Sequence, residues 1–155
     1  MIDLDVVGFR LVEPEDTPVL LLQDSGGTRV LPIWISSLDA AAIAVVLEDE
    51  SAAPRPMTHD LLASALREMA GDDEGRAVIT EMNDGIYFAR LEVGDASFDC
   101  RPSDAVAVAL RLEWPIGCSE QLMDQVGVEV AEADTDEVQR FREFLDTVNP
   151  DDFES

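Results

Sequence analysis

Strict alternation opens the chain: Ile2-Asp3-Leu4-Asp5-Val6 puts apolar side chains on one face and carboxylates on the other, the two-residue period of a half-buried strand. Residues 2 to 12 and 18 to 23 read as extended, and Ser25-Gly26-Gly27 supplies a flexible turn into a third strand near 28 to 35. The period then changes. Ser36 or Ser37 caps a helix through Leu47 that is alanine-rich and apolar almost all round, so it is expected to be buried and closely packed against a sheet. Glu48-Asp49-Glu50 with Pro54 and Pro56 marks a loop. Beyond it Leu61, Leu62, Ala65, Leu66 and Met69 recur at helical spacing. On that helix His59 shares the face of Leu62 and Leu66, whereas Asp60 falls with Ser64 and Arg67 on the solvent side.

Strands over 76 to 82 and 86 to 93 are joined through Asn83-Asp84-Gly85, a strong hairpin signal. Gly94-Asp95 turns again into 96 to 101, where Phe98 and Cys100 face one side and Ser97, Asp99 and Arg101 the other, so Asp99 is expected beside Arg101. Ser103 opens a third helix over 105 to 112, and a shorter one over 120 to 126 is closed by Gly127. This order predicts an α+β fold: a mixed, largely antiparallel sheet with helices packed on one side. Residues 1–128 form the domain, and 129–155 are an acidic connector followed by an amphipathic helix. That helix carries Val138, Phe141, Phe144, Leu145 and Val148 on one stripe, to be covered by the domain or by a second subunit.

At 155 residues and 46% apolar content the chain supports one domain with a real core. Its formal charge is −24, from 34 acids against ten arginines. Residues 129–155 hold ten of the acids, so 24 remain on the body and acidity belongs to the whole molecule. Such a surface repels nucleic acid and anionic membranes at long range. A lysine-free, arginine-only, acidic sequence also suits a salt-adapted or high-GC organism. The absence of lysine excludes a Walker A lysine and Schiff-base chemistry. A single histidine, His59, excludes zinc fingers and two-histidine metal helices. Cys100 and Cys118 form no C-x-x-C pair and are expected to be reduced, packed and inert. With strand-like residues at the start and no apolar span, neither a signal peptide nor a membrane segment is expected, and the expected address is the cytoplasm.

Two segments echo each other. Arg55-Pro56-Met57-Thr58-His59-Asp60 and Arg101-Pro102-Ser103-Asp104 each run from an Arg-Pro pair into a hydroxyl residue and an aspartate at a helix start. Thr58 and Ser103 read as N-caps, each contributing about 1 kcal/mol. The first echo adds the lone imidazole beside a carboxylate and within reach of a guanidinium, which capping alone does not require.

Four separated motifs then carry a resemblance. Leu31-Pro32-Ile33-Trp34-Ile35 with Asp39-Ala40-Ala41-Ala42-Ile43-Ala44, the run 55 to 62, Asn83-Asp84-Gly85 before an aromatic strand, and the run 99 to 111 occur in an order similar to that of the bifunctional nuclease family. The resemblance spans roughly residues 2–128 and implies an α+β domain that forms a homo-oligomer, a dimer being one form, and acts on DNA and RNA. It does not extend to the tail, where the excision-repair-type interaction motif of some relatives has no counterpart.

On that footing the residues are assigned to phosphodiester hydrolysis, which needs an activated water and stabilised phosphoryl charge. His59, Asp60 and Asp104 are the catalytic candidates, and Asp60, Asp99 and Asp104 the ligands for a divalent metal, Mg²⁺ or Mn²⁺. Arg55, Arg101, Thr58 and Ser103 are the substrate-binding candidates, through guanidinium forks and helix N-termini. A plainer account stands beside this one. Asp60 and Asp104 suit a first helical turn through the macrodipole alone, Arg101 with Asp99 makes an ordinary ion pair, and Trp34 and Trp114 read as core. The chain would then be a non-catalytic oligomeric binding or regulatory module with structural Arg-Pro turns. A serine hydrolase using His59 lacks a G-x-S-x-G elbow.

Overall fold

The computed structural model describes residues 1–48 and 55–130. Among them, chain order runs β1 (Ile2–Val12), β2 (Thr17–Asp24), β3 (Arg29–Trp34), α1 (Ser37–Leu47), α2 (Thr58–Ala70), β4 (Gly75–Asn83), β5 (Ile86–Val93), β6 (Ala96–Cys100), α3 (Pro102–Leu112), β7 (Ile116–Cys118), α4 (Glu120–Val126) and β8 (Val128–Glu129). The eight strands form one sheet in the order β6-β5-β4-β7-β1-β2-β3-β8. Two antiparallel meanders, β1-β2-β3 and β4-β5-β6, meet at β7, which pairs antiparallel with β1 and parallel with β4. The fold is therefore α+β with a mixed, largely antiparallel sheet. The expected C-terminal amphipathic helix lies outside the described residues.

The elements follow from local chemistry. Asp84 and Gly85 both take positive φ, at 52° and 80°, as a two-residue type I′ hairpin turn demands. Ser36 is the cap of α1: its hydroxyl accepts from the Asp39 amide at 3.1 Å and donates to the Asp39 carboxylate at 2.8 Å. Helix α3 is central, packed by α1 and α2 and against β4 and β5. Its Ala105, Val106, Ala107, Val108 and Ala109 are completely buried; the small alanines let neighbouring backbones approach, and each valine contributes about 1.5–3 kcal/mol by leaving water.

Several expectations are corrected. The hydroxyls of Thr58 and Ser103 are not the caps. Helix α2 is capped at Met57, whose amide donates to the Asp60 carboxylate at 2.9 Å, and α3 is capped at Arg101 with Pro102 as its first residue. Proline's fixed φ pre-sets the first helical turn, so α3 starts three residues before the alanine run, and Ser103 lies buried inside it. Helix α1 is not enclosed, because contact with α3 and β2 covers one stripe only. Ala40 and Ile43 are buried, whereas Leu38, Val45 and Leu47 are exposed. Trp34 is 57% exposed instead of in the core, while Trp114 packs against the core with its ring over Gly75. Strands β7 and β8 were not expected; β8 extends the β3 edge, and the Val130 amide continues it by donating to the Thr28 carbonyl at 2.8 Å.

Candidate functional site at a three-helix junction

The starts of α1, α2 and α3 contribute one connected cluster. Asp39 comes from the first turn of α1, His59 from the first turn of α2, and Arg101 and Asp104 from the cap and first turn of α3. Arg101 lies between two carboxylates. Its Nε and Nη2 donate to Asp104 Oδ2 and Oδ1 at 2.9 and 3.0 Å, and its Nη1 and Nη2 donate to Asp39 Oδ2 and Oδ1 at 3.0 and 3.2 Å. Both contacts are two-pronged, which fixes the plane of the guanidinium. His59 Nε2 stands 2.9 Å from Asp104 Oδ1.

The protonation states follow. Burial favours the neutral form of Asp104, but hydrogen bonds from Arg101 and His59 outweigh it and hold the carboxyl below its ordinary 3.8. Arg101 is held above its ordinary value, chiefly by its hydrogen bond to Asp104, and stays charged. An ionised carboxylate only accepts, so His59 must carry a proton on Nε2. When the ring is neutral its lone pair is therefore on Nδ1, the arrangement of a proton acceptor oriented by a carboxylate. With a neutral imidazole the four side chains carry a net charge of −1, and with imidazolium they are neutral.

A cleft of about 420 Å³ opens beside the cluster. Its lining includes Asp39, Arg101 and Ser103 together with Trp34, Ile86 and Tyr87. Burial pushes the Tyr87 hydroxyl up, so it stays protonated.

The remaining candidates sit elsewhere. Asp60, 37% exposed, is not free: it accepts from Arg111 Nε at 2.7 Å as well as from Met57, tying α2 to α3. Those hydrogen bonds, the Met57 amide first and Arg111 second, hold its carboxyl below 3.8. Asp99 lies exposed on β6 opposite Arg90, and Arg101 turns to Asp39 and Asp104 instead of to it. Arg55 and Thr58 are exposed, the first ahead of α2 and the second at its start, and no ion pair of Arg55 occurs among the described residues. Mutual crowding of carboxylates is not the governing effect at Asp60 or Asp104, because each has an arginine.

The donor chemistry does not fit a divalent ion as arranged. Arg101 occupies both nearby carboxylates, and among the described residues no three His, Cys, Asp or Glu side chains are grouped to hold a metal. Asp60, Asp99 and Asp104 are not brought together. Sequence reasoning missed Asp39, although Ser36-x-x-Asp39 is a capping-box spacing, and Arg111, which lies two turns beyond Asp104 on α3.

Fold and junction together define an α+β domain with an imidazole–carboxylate–guanidinium cluster at converging helix starts. The chain belongs to the bifunctional nuclease domain family, whose sequence model matches residues 19–131. An uncharacterised protein of Mycobacterium tuberculosis is 40% identical over 99% of this chain and 98% of its own length. Bifunctional nuclease 1 of Arabidopsis thaliana is 29% identical over 81% of this chain and 41% of its own, and bifunctional nuclease 2 of the same plant is 28% identical over 77% and 38%. No helix among the described residues is long and apolar enough to cross a membrane.

Proposed function

We propose that this domain hydrolyses phosphodiester bonds of DNA and RNA at the junction of Asp39, His59, Arg101 and Asp104. The convergence of these four side chains from three helices carries the reading, with family membership behind it. Asp104 keeps the His59 proton on Nε2, and Nδ1 removes the proton from the attacking water. As the new phosphorus–oxygen bond forms, the bond to the leaving oxygen breaks, and the imidazolium returns its proton to that oxygen. General acid–base catalysis of this kind contributes about 10²–10⁴-fold. Arg101 has five N–H donors, four of them engaged by carboxylates, and the fifth on Nη1 serves a phosphoryl oxygen with the first amides of α3.

The test is cleavage of labelled single-stranded DNA and RNA in Mg²⁺, Mn²⁺ and chelator. Wild type and Asp60→Asn cleave, while His59→Gln and Asp104→Asn lose at least about 10²-fold. Undiminished cleavage by His59→Gln overturns the reading.

A non-catalytic module is the second reading, supported by the Asp60–Arg111 tie at the first Arg-Pro turn. Absence of cleavage in all three conditions would select it. A homo-oligomer is part of either reading, supported by exposed Leu38 on α1 and Leu61, Leu62 and Met69 on α2. A cytoplasmic address is supported by the free thiols of Cys100 and Cys118.

A further inference from the structure

Trp34 is the least expected side chain at the site. It ends β3, its partner across the strand pair is Val19, and its ring is 57% exposed on the wall of the cleft. The same cleft is lined by Arg101, the guanidinium already fixed between two carboxylates. Ile86, 61% exposed, and the half-buried Tyr87 add apolar and aromatic lining to the same cleft.

We infer that this cleft is a nucleobase subsite, in which Trp34 stacks on an unpaired base while Arg101 meets the adjoining phosphate. The inference rests on the nuclease reading for the kind of ligand and adds what the site recognises in it: a base outside a duplex.

Electrostatics points the same way. Most affinity for a nucleic-acid strand comes from arginine and lysine on phosphates. This chain has no lysine and a net charge of −24, and both carboxylates flanking Arg101 further reduce its pull on an anion. Affinity must then come from a contact that does not depend on net charge, and stacking of a base on an aromatic ring is one. The ring requires an unstacked base, because a base inside a duplex has both faces covered. Tyr87 keeps its hydroxyl protonated, so it offers a donor to a base edge without adding negative charge.

The test is fluorescence anisotropy of two labelled eight-nucleotide strands bound to the full chain: thymidine DNA, and an abasic strand of the same backbone. Wild type binds the thymidine strand more tightly than the abasic one. Trp34→Ala weakens binding of the thymidine strand by about 5- to 150-fold, the equivalent of about 1–3 kcal/mol of stacking, and leaves the abasic strand unchanged. Trp34→Phe restores most of the loss. With a single phosphate contact, the logarithm of the binding constant falls with the logarithm of salt at a slope near about −0.7. Equal binding of the two strands by wild type, or equal losses on both in Trp34→Ala, overturns the subsite. Cleavage measured on the same samples separates this failure from that of the nuclease reading. Base-dependent binding without cleavage removes the activity and leaves the subsite; wild-type cleavage with unchanged KM in Trp34→Ala removes the subsite and leaves the activity.

Discussion

Removing the Asp60 carboxylate strands a buried cation. Arg111 is only 10% exposed; its Nε donates to Asp60 at 2.7 Å and its Nη1 to the Ala107 carbonyl at 2.9 Å. In Asp60→Ala the guanidinium keeps its charge and loses its only carboxylate among the described residues. Breaking a buried pair from one side costs about 3–5 kcal/mol, but Asp60 is 37% exposed, and solvent screening lowers the expected figure to about 1–3 kcal/mol. Loss of the Met57 amide contact that starts α2 adds about 1 kcal/mol. Together these amount to about 2–4 kcal/mol, or about 5–15 °C in Tm for a domain of this size. Arg111→Met costs less, because the remaining carboxylate still accepts from Met57 and reaches water. Circular dichroism melts of wild type, both single variants and the double variant form a cycle, and the double variant should be less damaged than the sum by about 0.5–3 kcal/mol. Additive losses, or an Asp60→Ala protein melting with wild type, would show that the tie between α2 and α3 does not exist as described.

Asp104→Asn keeps the shape of the junction but no longer fixes the His59 tautomer, so kcat should fall by about 10²–10⁴-fold with little change in KM; a change confined to KM would contradict the role of Asp104 as the group that orients His59. Because the folded Asp104 carboxyl is held below 3.8, its stabilisation is present in full above that value and is lost as pH falls through the folded pKa. The Tm advantage of wild type over Asp104→Asn should therefore close as pH falls below about 4; an advantage that widens below about pH 4 has the wrong sign. Gly75→Ala forces a methyl group into the Trp114 ring and should cost about 1–3 kcal/mol in chemical denaturation, whereas a neutral result would place that ring elsewhere. Burial, with Asp104 and Asp99 adding to it, pushes the Cys100 thiol up to about 11, so iodoacetamide at pH 7.5 should leave it unmodified in the folded protein; rapid labelling would contradict its protonated state.

Long periodic segments were legible in the sequence because a single period governs each of them. Alternation marks β1, Asn83-Asp84-Gly85 marks the β4–β5 hairpin, and the alanine–valine run marks α3. Strands β7 and β8, of three and two residues, are too short to show a period, and β7 exists only because β1 and β4 flank it. The same limit hid the exposure of Trp34, since burial at the end of a strand depends on what covers it and not on alternation. At the site, the Arg-Pro echo pointed to His59, Arg101 and Asp104, which do share one cluster. The two motifs, equal in sequence, differ in their partners. Pro102 starts α3 and leaves Arg101 free to bridge two acids, whereas Asp60 turns to Arg111, a partner fixed by how α2 lies on α3 and invisible in spacing.

In the proposed site His59, held by Asp104, moves the proton during strand cleavage. Chemical rescue isolates that step: cleavage of a labelled single strand by His59→Gly, with and without added imidazole. His59→Gly should lose at least about 10²-fold and recover part of it as imidazole fills the gap beside Asp104. A His59→Gly protein that cleaves at the wild-type rate without imidazole would contradict that role of His59.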